Sequence, residues 1–293
     1  MKKKYTQKTL KSPAHLNGIG VHSGTPVNLE LLPAAINHGI KFQRTDIATN
    51  NIINATYDCV SDTKMSTTLS NKHGANISTV EHLMSALAGY GITNCLIKVS
   101  GPEVPIMDGS AEDFCNAIQA VGTDNQQHEK EYVKVLKDIR VESGDAWASF
   151  TPSTERTFTV NFDFLKRLPS ALKQSHDVTF NLDDDNFHLF FAKARTFGLY
   201  EDARKVQAMG LAKGANLDNT IIIKDEGILN PEGLRHPDEL SQHKILDAVG
   251  DLALCSNFII GAYSAYNGSH YLNNKLLRKL FDTADSLETD PVA

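Results

Sequence analysis

Hydrophobic alternation and helical periodicity divide the chain into two runs of elements separated by one polar stretch. Residues 5–10 read as a first strand, and 18–24, rich in glycine, as a turn-forming loop. Val27, Leu29 and Leu31 alternate with polar neighbours, the pattern of a half-buried strand, and 39–44 reads as its partner. Thr67-Thr68-Leu69 reads as a short strand near a site. A helix follows, with Val80, Leu83, Met84 and Leu87 on its apolar face and Gly89 or Gly91 at its end. Ser78 and Glu81 have the spacing of a capping box at its start. A strand over 94–100, a loop over 105–110 and a helix over 111–121 complete the first run, with Phe114, Ile118 and Val121 facing inward.

Residues 123–130 are nearly free of apolar side chains and read as a linker. Strands are then expected over 132–136, 146–150, 157–164, 188–191 and 220–223, with a helix over 200–209. A longer helix over 238–251 precedes a strand over 258–266, a Gly-containing loop and a helix over 272–281. Both runs thus end alike: helix, strand, Gly-containing loop, helix. This similarity of order implies an α+β protein of two similar domains, residues 1–122 and 131–293, each a sheet with a helix pair. If the helices pack between the sheets, the two halves meet along their helix layers, a common location for a site.

The chemistry concentrates on the 238–251 helix. His243, Asp247 and Asp251 are spaced i, i+4, i+8 and form one polar row, with Leu246, Val249 and Leu252 beside it. A histidine and a carboxylate one turn apart can chelate a metal, and His82 on the first-half helix is the candidate third ligand. The competing reading is a solvated helix face and a structural histidine. Glu81, beside His82, either takes a proton from water or only caps its helix with Ser78; the two roles need its side chain in different places. His270, after a glycine turn, suits proton donation, and Asp251 can orient it or raise its pKa. Lys244 offers a cation to an oxyanion or phosphate, and Thr196 a hydroxyl. For these two the alternatives are an exposed helix lysine and strand-end packing. His22 and the pair Asp108-Gly109 read as turn residues.

Length, charge and cysteines change little. At 293 residues there is room for two domains. A net charge of -6 argues against broad nucleic-acid binding. No apolar run approaches the ~18 residues of a membrane span. The basic start, Lys2-Lys3-Lys4, is not followed by an apolar signal-peptide core, so a cytoplasmic protein is expected, at most in peripheral contact with a membrane. Cys59, Cys95, Cys115 and Cys255 are scattered and read as small buried apolar residues.

Five stretches, in order, resemble the UDP-3-O-acyl-N-acetylglucosamine deacetylase family. They are Ile77-Ser78-Thr79-Val80-Glu81-His82-Leu83, residues 105–111 from Pro105 to Ala111, Arg195-Thr196-Phe197-Gly198, residues 243–252 with His243, Lys244, Asp247 and Asp251, and residues 270–276 beginning at His270. The resemblance implies two α+β domains with helices sandwiched between sheets. It further implies a Zn2+ enzyme (with Fe2+ as the alternative metal) of lipid A biosynthesis, acting as a monomer on a UDP-linked acylated glucosamine. His82, His243 and Asp247 would be the metal ligands. Glu81 would be the general base, His270 the acid or charge stabiliser supported by Asp251, Thr196 the oxyanion donor, and Lys244 a substrate contact. Phe164, Phe197, Gly198 and Leu199 would lie along the substrate. An insert over about 197–223, with Leu199, Ala203, Val206 and Leu211, would form an acyl passage.

The chain departs from that family's pattern in places. Ala146 and Asn267 stand where many members carry a basic residue, and these changes remove expected phosphate contacts. Ser269 replaces a glycine, Leu165-Lys166-Arg167 replaces a His-Pro, and Gly214-Ala215-Asn216 replaces Gly-Gly-Ser; Lys166 or Arg167 is the available substitute charge. A metal amidohydrolase acting on a different acylated sugar or nucleotide, and a non-catalytic lipid- or sugar-binding relative, are therefore the alternative readings.

Overall fold

The structure, a computed structural model, describes residues 5–162, 178–183 and 187–289. It is α+β, with two main sheets and helices packed between them. In the first sheet the strand order is Ala14–Ile19, Pro26–Pro33, Cys95–Val99, Ile40–Arg44, Ile52–Asn54. The expected pairing of 27–31 with 39–44 is therefore wrong. The strand Cys95–Val99 lies between them, antiparallel to one and parallel to the other. Its Ile97 and Val99 are as buried as Leu29 and Leu31, so the centre of the sheet goes to the later, more apolar strand.

The second sheet is built on Phe258–Tyr266. One edge of this strand pairs with Ala146–Thr151. The other pairs in parallel with Tyr132–Val135 along its first half and with Arg156–Asn161 along its second. Helices α1 (Glu81–Gly89) and α2 (Glu112–Val121) belong to the first half. Then come α3 (Phe187–Phe190) and α4 (Tyr200–Ala208). The second half adds α5 (Glu239–Ala253) and α6 (His270–Asp282). One hydrophobic core runs through both halves. A small second cluster, Ile221, Ile223 and Leu240, holds a three-stranded sheet of Phe197–Leu199, Ile221–Lys224 and Gly227–Ile228.

Helices α1 and α5 cross at close range. A Cβ on Gly250 would stand 2.0 Å from the Glu81 carbonyl oxygen, so only glycine allows this approach. Being sandwiched, α5 is buried on nearly every face, its polar row included.

Three expectations fail for identifiable reasons. The polar stretch 123–130 is not a linker in extended coil: Thr123–Glu129 is a strand antiparallel to Thr6–Leu10. Its side chains find polar partners, with Gln126 bonded to Asn94 at 2.7 Å and to the Ala34 carbonyl at 2.8 Å, so no apolar alternation was required. The 188–191 stretch lies in helix α3 rather than a strand. Phe187 and Phe191 bury on one side of that turn while Leu189 and Phe190 face solvent. The capping box does not form either. Val80 is the α1 N-cap with no side-chain bond, and the Ser78 hydroxyl donates to Pro102 O.

Candidate active site

Helix α1 begins with Glu81 and His82, α5 carries His243, Asp247 and Asp251, and α6 begins with His270. Ser269 caps α6, accepting from the Leu272 amide at 3.3 Å, which fixes His270 at the first helical position. The crossing of α1 over α5 brings these side chains together. Glu81, His82, His243, Asp247 and Asp251 are all buried, so the solvated-face reading of the polar row fails.

The ligand atoms of His82, His243 and Asp247 lie within 4.8 Å of one another. His82 Nε2 is 3.6 Å and His243 Nε2 3.3 Å from the same Asp247 oxygen. These spacings exceed the ~2.9 Å of a good N–H···O bond. They approach the ~3.3 Å edge between ligands placed 2.0–2.1 Å from a tetrahedral cation. The donor types fit such an ion. His243 Nδ1 donates to the Ala194 carbonyl at 2.9 Å, which leaves Nε2 with its lone pair toward the cluster. Burial lowers the His243 pKa to about 3, so the ring is neutral. Burial raises the Asp247 pKa, but His243 and Lys244 outweigh it and the net shift is well downward, keeping the carboxylate ionised. Lys244 Nζ donates to Asp247 Oδ2 at 2.9 Å and sits 5.3 Å above the Phe197 ring.

A second constellation adjoins the first. His270 Nδ1 bonds Asp251 Oδ2 at 2.8 Å, and its Nε2 is 3.6 Å from Glu81 Oε1. Burial lowers the His270 pKa, but Asp251 and Glu81 together raise it to about 10. Burial raises the Glu81 carboxyl pKa. Glu81 Oε2 accepts from the Thr67 amide at 3.1 Å instead of capping α1. Both shifts are upward, favouring the charged imidazolium and the neutral carboxyl, and perturbed groups clustered in a cleft mark candidates for proton transfer.

A cavity of about 510 Å³ opens on both constellations. Glu81, His82, His243, Lys244, Asp247 and His270 line one end. Thr196, Phe197, Gly198, Ala203, Val206, Leu217 and Ile222 line the rest. Thr196 is set by its backbone: its amide donates to Gly109 O at 2.8 Å and its carbonyl accepts from Ile221 N at 2.8 Å. Gly109 must be glycine, since it has φ +86° and a Cβ there would lie 2.0 Å from Asn219 O. Leu199 does not line the cavity; it packs against the cluster of Ile221, Ile223 and Leu240. Leu211 is not a lining residue either and is 37 % exposed. Phe164, Lys166 and Arg167 lie outside the described residues. His22, set aside as a turn residue, does line the cavity, as does Met65. A second cavity, about 70 Å³, lies among Met84, Phe150 and Val249, lined by none of the histidines or carboxylates above.

The sequence matches the UDP-3-O-acyl N-acetylglycosamine deacetylase (LpxC) family over residues 7–282. The chain belongs to this family. It is 42% identical to the UDP-3-O-acyl-N-acetylglucosamine deacetylase of Tolumonas auensis over 96% of this chain and 92% of that one. Identity is 44% with the enzyme of the same name from Psychrobacter sp. over 96% and 94%, and 45% with that of Myxococcus xanthus over 98% and 90%. Of this chain's departures from the family pattern, Ala146 and Asn267 do not line the cavity, whereas Ala215 and Asn216 do. Ala146 pairs with Ser143 beside the Gly144-Asp145 turn of a hairpin, and Asn267, at φ +49°, uses the tolerance of asparagine for left-handed backbone.

Sequence reasoning missed Thr67, Glu239 and a role for Arg195. Arg195 Nε donates to Glu239 Oε1 at 2.9 Å in full burial, and its NH1 pairs with Glu232. Glu239 lies one turn before His243, and Arg195 follows Ala194, the carbonyl that holds His243. The signal available was the lone buried-type charge pair of an Arg beside an apolar strand, which spacing alone cannot match to its partner. No helix among the described residues is long and apolar enough to cross a membrane.

Proposed function

We propose that this chain is a metal-dependent deacetylase that hydrolyses the N-acetyl group of UDP-3-O-acyl-N-acetylglucosamine, giving UDP-3-O-acyl-glucosamine and acetate, in lipid A biosynthesis. The observation that carries this reading is the juxtaposition of a buried His-His-Asp cluster with a Glu81–His270 pair at one end of an apolar-walled cavity. His82, His243 and Asp247 would hold the ion, Zn2+ or Fe2+. Such an ion supplies Lewis-acid polarisation and acidifies water.

The protein side chains do the rest. Glu81 takes the proton of the water that attacks the acetamide carbonyl carbon. Thr196 donates its hydroxyl hydrogen to the developing oxyanion. His270, protonated at neutral pH, faces Glu81 and the cavity and gives a proton to the leaving nitrogen as the C–N bond breaks. Asp251 holds His270 through Nδ1, so Nε2 is the atom that exchanges protons. Lys244 and Phe197 bind and orient the sugar side, and Ala203, Val206 and Ile222 wall the passage of the 3-O-acyl chain. We take residues 1–122 and 131–293 as the two domains, and the enzyme as a cytoplasmic monomer.

The test is acetate release from the UDP-linked substrate by purified protein, with metal content measured on the same sample. Activity lost with a chelator and restored by Zn2+ or Fe2+ is the expected result; activity unchanged by complete metal removal would overturn the reading. Ala146 and Asn267 favour a second reading, in which the nucleotide matters less. Comparing kcat/KM for substrates with and without the UDP group separates the two: a loss of under about tenfold without UDP supports the second, and a larger loss the first.

A further inference from the structure

We propose that Thr67 is a positioning residue for this reaction, locking Glu81 and the Asp251–His270 pair into one fixed relation. The proposal rests on the deacetylase reading above. Thr67 is 1% exposed and does not line the cavity, so it can act only through its neighbours. Its three polar groups tie α5 to the first turn and the N-cap of α1. The amide donates to Glu81 Oε2 at 3.1 Å, the hydroxyl donates to Asp251 Oδ1 at 2.6 Å, and the carbonyl accepts from Val80 N at 3.4 Å.

Each bond fixes an orientation the chemistry needs. With Oε2 held by Thr67, the other Glu81 oxygen turns toward His270 Nε2, 3.6 Å away. With Oδ1 held by the Thr67 hydroxyl, Asp251 presents Oδ2 to His270 Nδ1 and to Asn273 Nδ2, each at 2.8 Å. Asn273 in turn accepts from Tyr263 OH at 2.6 Å, so the carboxylate plane is held from both sides. A hydroxyl can donate only one proton, and here it goes to a carboxyl oxygen at 2.6 Å. The backbone around Thr67 adds a further constraint. Thr79, a β-branched residue, sits at φ +59°, a conformation that persists only where the surroundings over-determine it. It immediately precedes Val80 and the start of α1, and thus aims Glu81 at the Thr67 amide.

A purely structural role is the competing account, in which Thr67 merely satisfies two buried carboxylates. The two accounts separate on Thr67→Val, which removes the hydroxyl at nearly constant volume and leaves the backbone bond to Glu81 in place. Metal-loaded wild type, Thr67→Val and Thr67→Ser are compared for kcat, KM, metal content and unfolding midpoint. For Thr67→Val we expect kcat to fall about 10- to 100-fold, the range for lost outer-shell partners, with KM within about twofold and metal content unchanged. Thr67→Ser should recover most of the loss. Thr67→Cys, smaller and a weak donor, should fall between them and serves if the valine variant does not fold. Combining Thr67→Val with Asp251→Asn should cost little more than Asp251→Asn alone, because both act through one bond. A valine or cysteine variant with wild-type kcat, a serine variant as impaired as valine, or fully additive losses would overturn the proposal. A wild-type chain that releases no acetate would instead sink the deacetylase reading, and this proposal with it.

Discussion

The Gly250 backbone lies so close to Glu81 that a Cβ on the glycine would stand 2.0 Å from the Glu81 carbonyl oxygen. The contact is backbone against backbone, so no side chain can yield. Gly250→Ala must push α5 away from α1, and with it His243 and Asp247 away from His82. The expected cost is about 3 kcal/mol, the upper end for overpacking. Metal affinity should fall together with the unfolding midpoint. Thermal unfolding with and without metal checks this, and an alanine variant that binds metal as tightly as wild type would contradict it.

Glu239 and Arg195 form a buried pair next to a metal ligand. Glu239 Oε1 accepts from both the Arg195 amide, at 3.1 Å, and its guanidinium, and Glu239 Oε2 accepts from the Arg235 amide at 2.6 Å. Without the Glu239 charge, buried Arg195 keeps only the half-exposed Glu232 as a partner, so Glu239→Gln is expected to destabilise by about 3 kcal/mol. The pair also anchors the segment whose Ala194 carbonyl holds His243 Nδ1. Metal affinity should therefore drop about tenfold, read by competition with a chelator.

The histidines set opposite pH limits on the metal-free protein. The folded His270 pKa, about 10, lies above the ordinary 6.5. Its stabilisation is therefore complete below about pH 6.5 and is lost as pH rises toward 10. The folded His243 pKa, about 3, lies below 6.5. Its contribution is complete above about pH 6.5 and is lost as pH falls toward 3. Stability of the chelated protein should peak near pH 6–7, each limb approaching about 1.4 kcal/mol per pH unit where one proton is exchanged. Urea unfolding across pH 4 to 10 tests it, and replacing His270 with Asn should flatten the alkaline limb.

The apolar wall should govern acyl length. Val206 and Ala203 line the cavity from α4. Ala203→Trp or Val206→Trp fills that volume and is expected to raise KM at least tenfold for long-acyl substrates, about the loss of one or two buried methylenes' contact, while sparing short-acyl ones. Equal effects on both would place the acyl chain elsewhere.

How much of this could be read from the chain depends on sequence distance. His243, Asp247 and Asp251 were legible because one helical period aligns them, and His82 because it heads a matching helix. That the row is buried was not legible, since a polar row beside an apolar stripe looks the same against solvent or against a second helix. Thr67 bonds a residue 184 positions away, and no local spacing encodes that. The strand Thr123–Glu129 was hidden because amide side chains, not apolar ones, seat it. The sequence offers Glu81 two roles; the geometry gives its carboxylate to Thr67 and His270, because Val80 occupies the N-cap.

The central claim is that His82, His243 and Asp247 hold a metal that hydrolysis needs. The most direct measurement is metal stoichiometry and acetate release on the same preparations of wild type and His82→Ala. Wild type should carry about one divalent ion per chain and release acetate. The variant should lose most of its metal and fall at least 100-fold in kcat/KM, as removal of a ligand or reacting group does. A His82→Ala protein that keeps stoichiometric metal and full turnover would contradict the account.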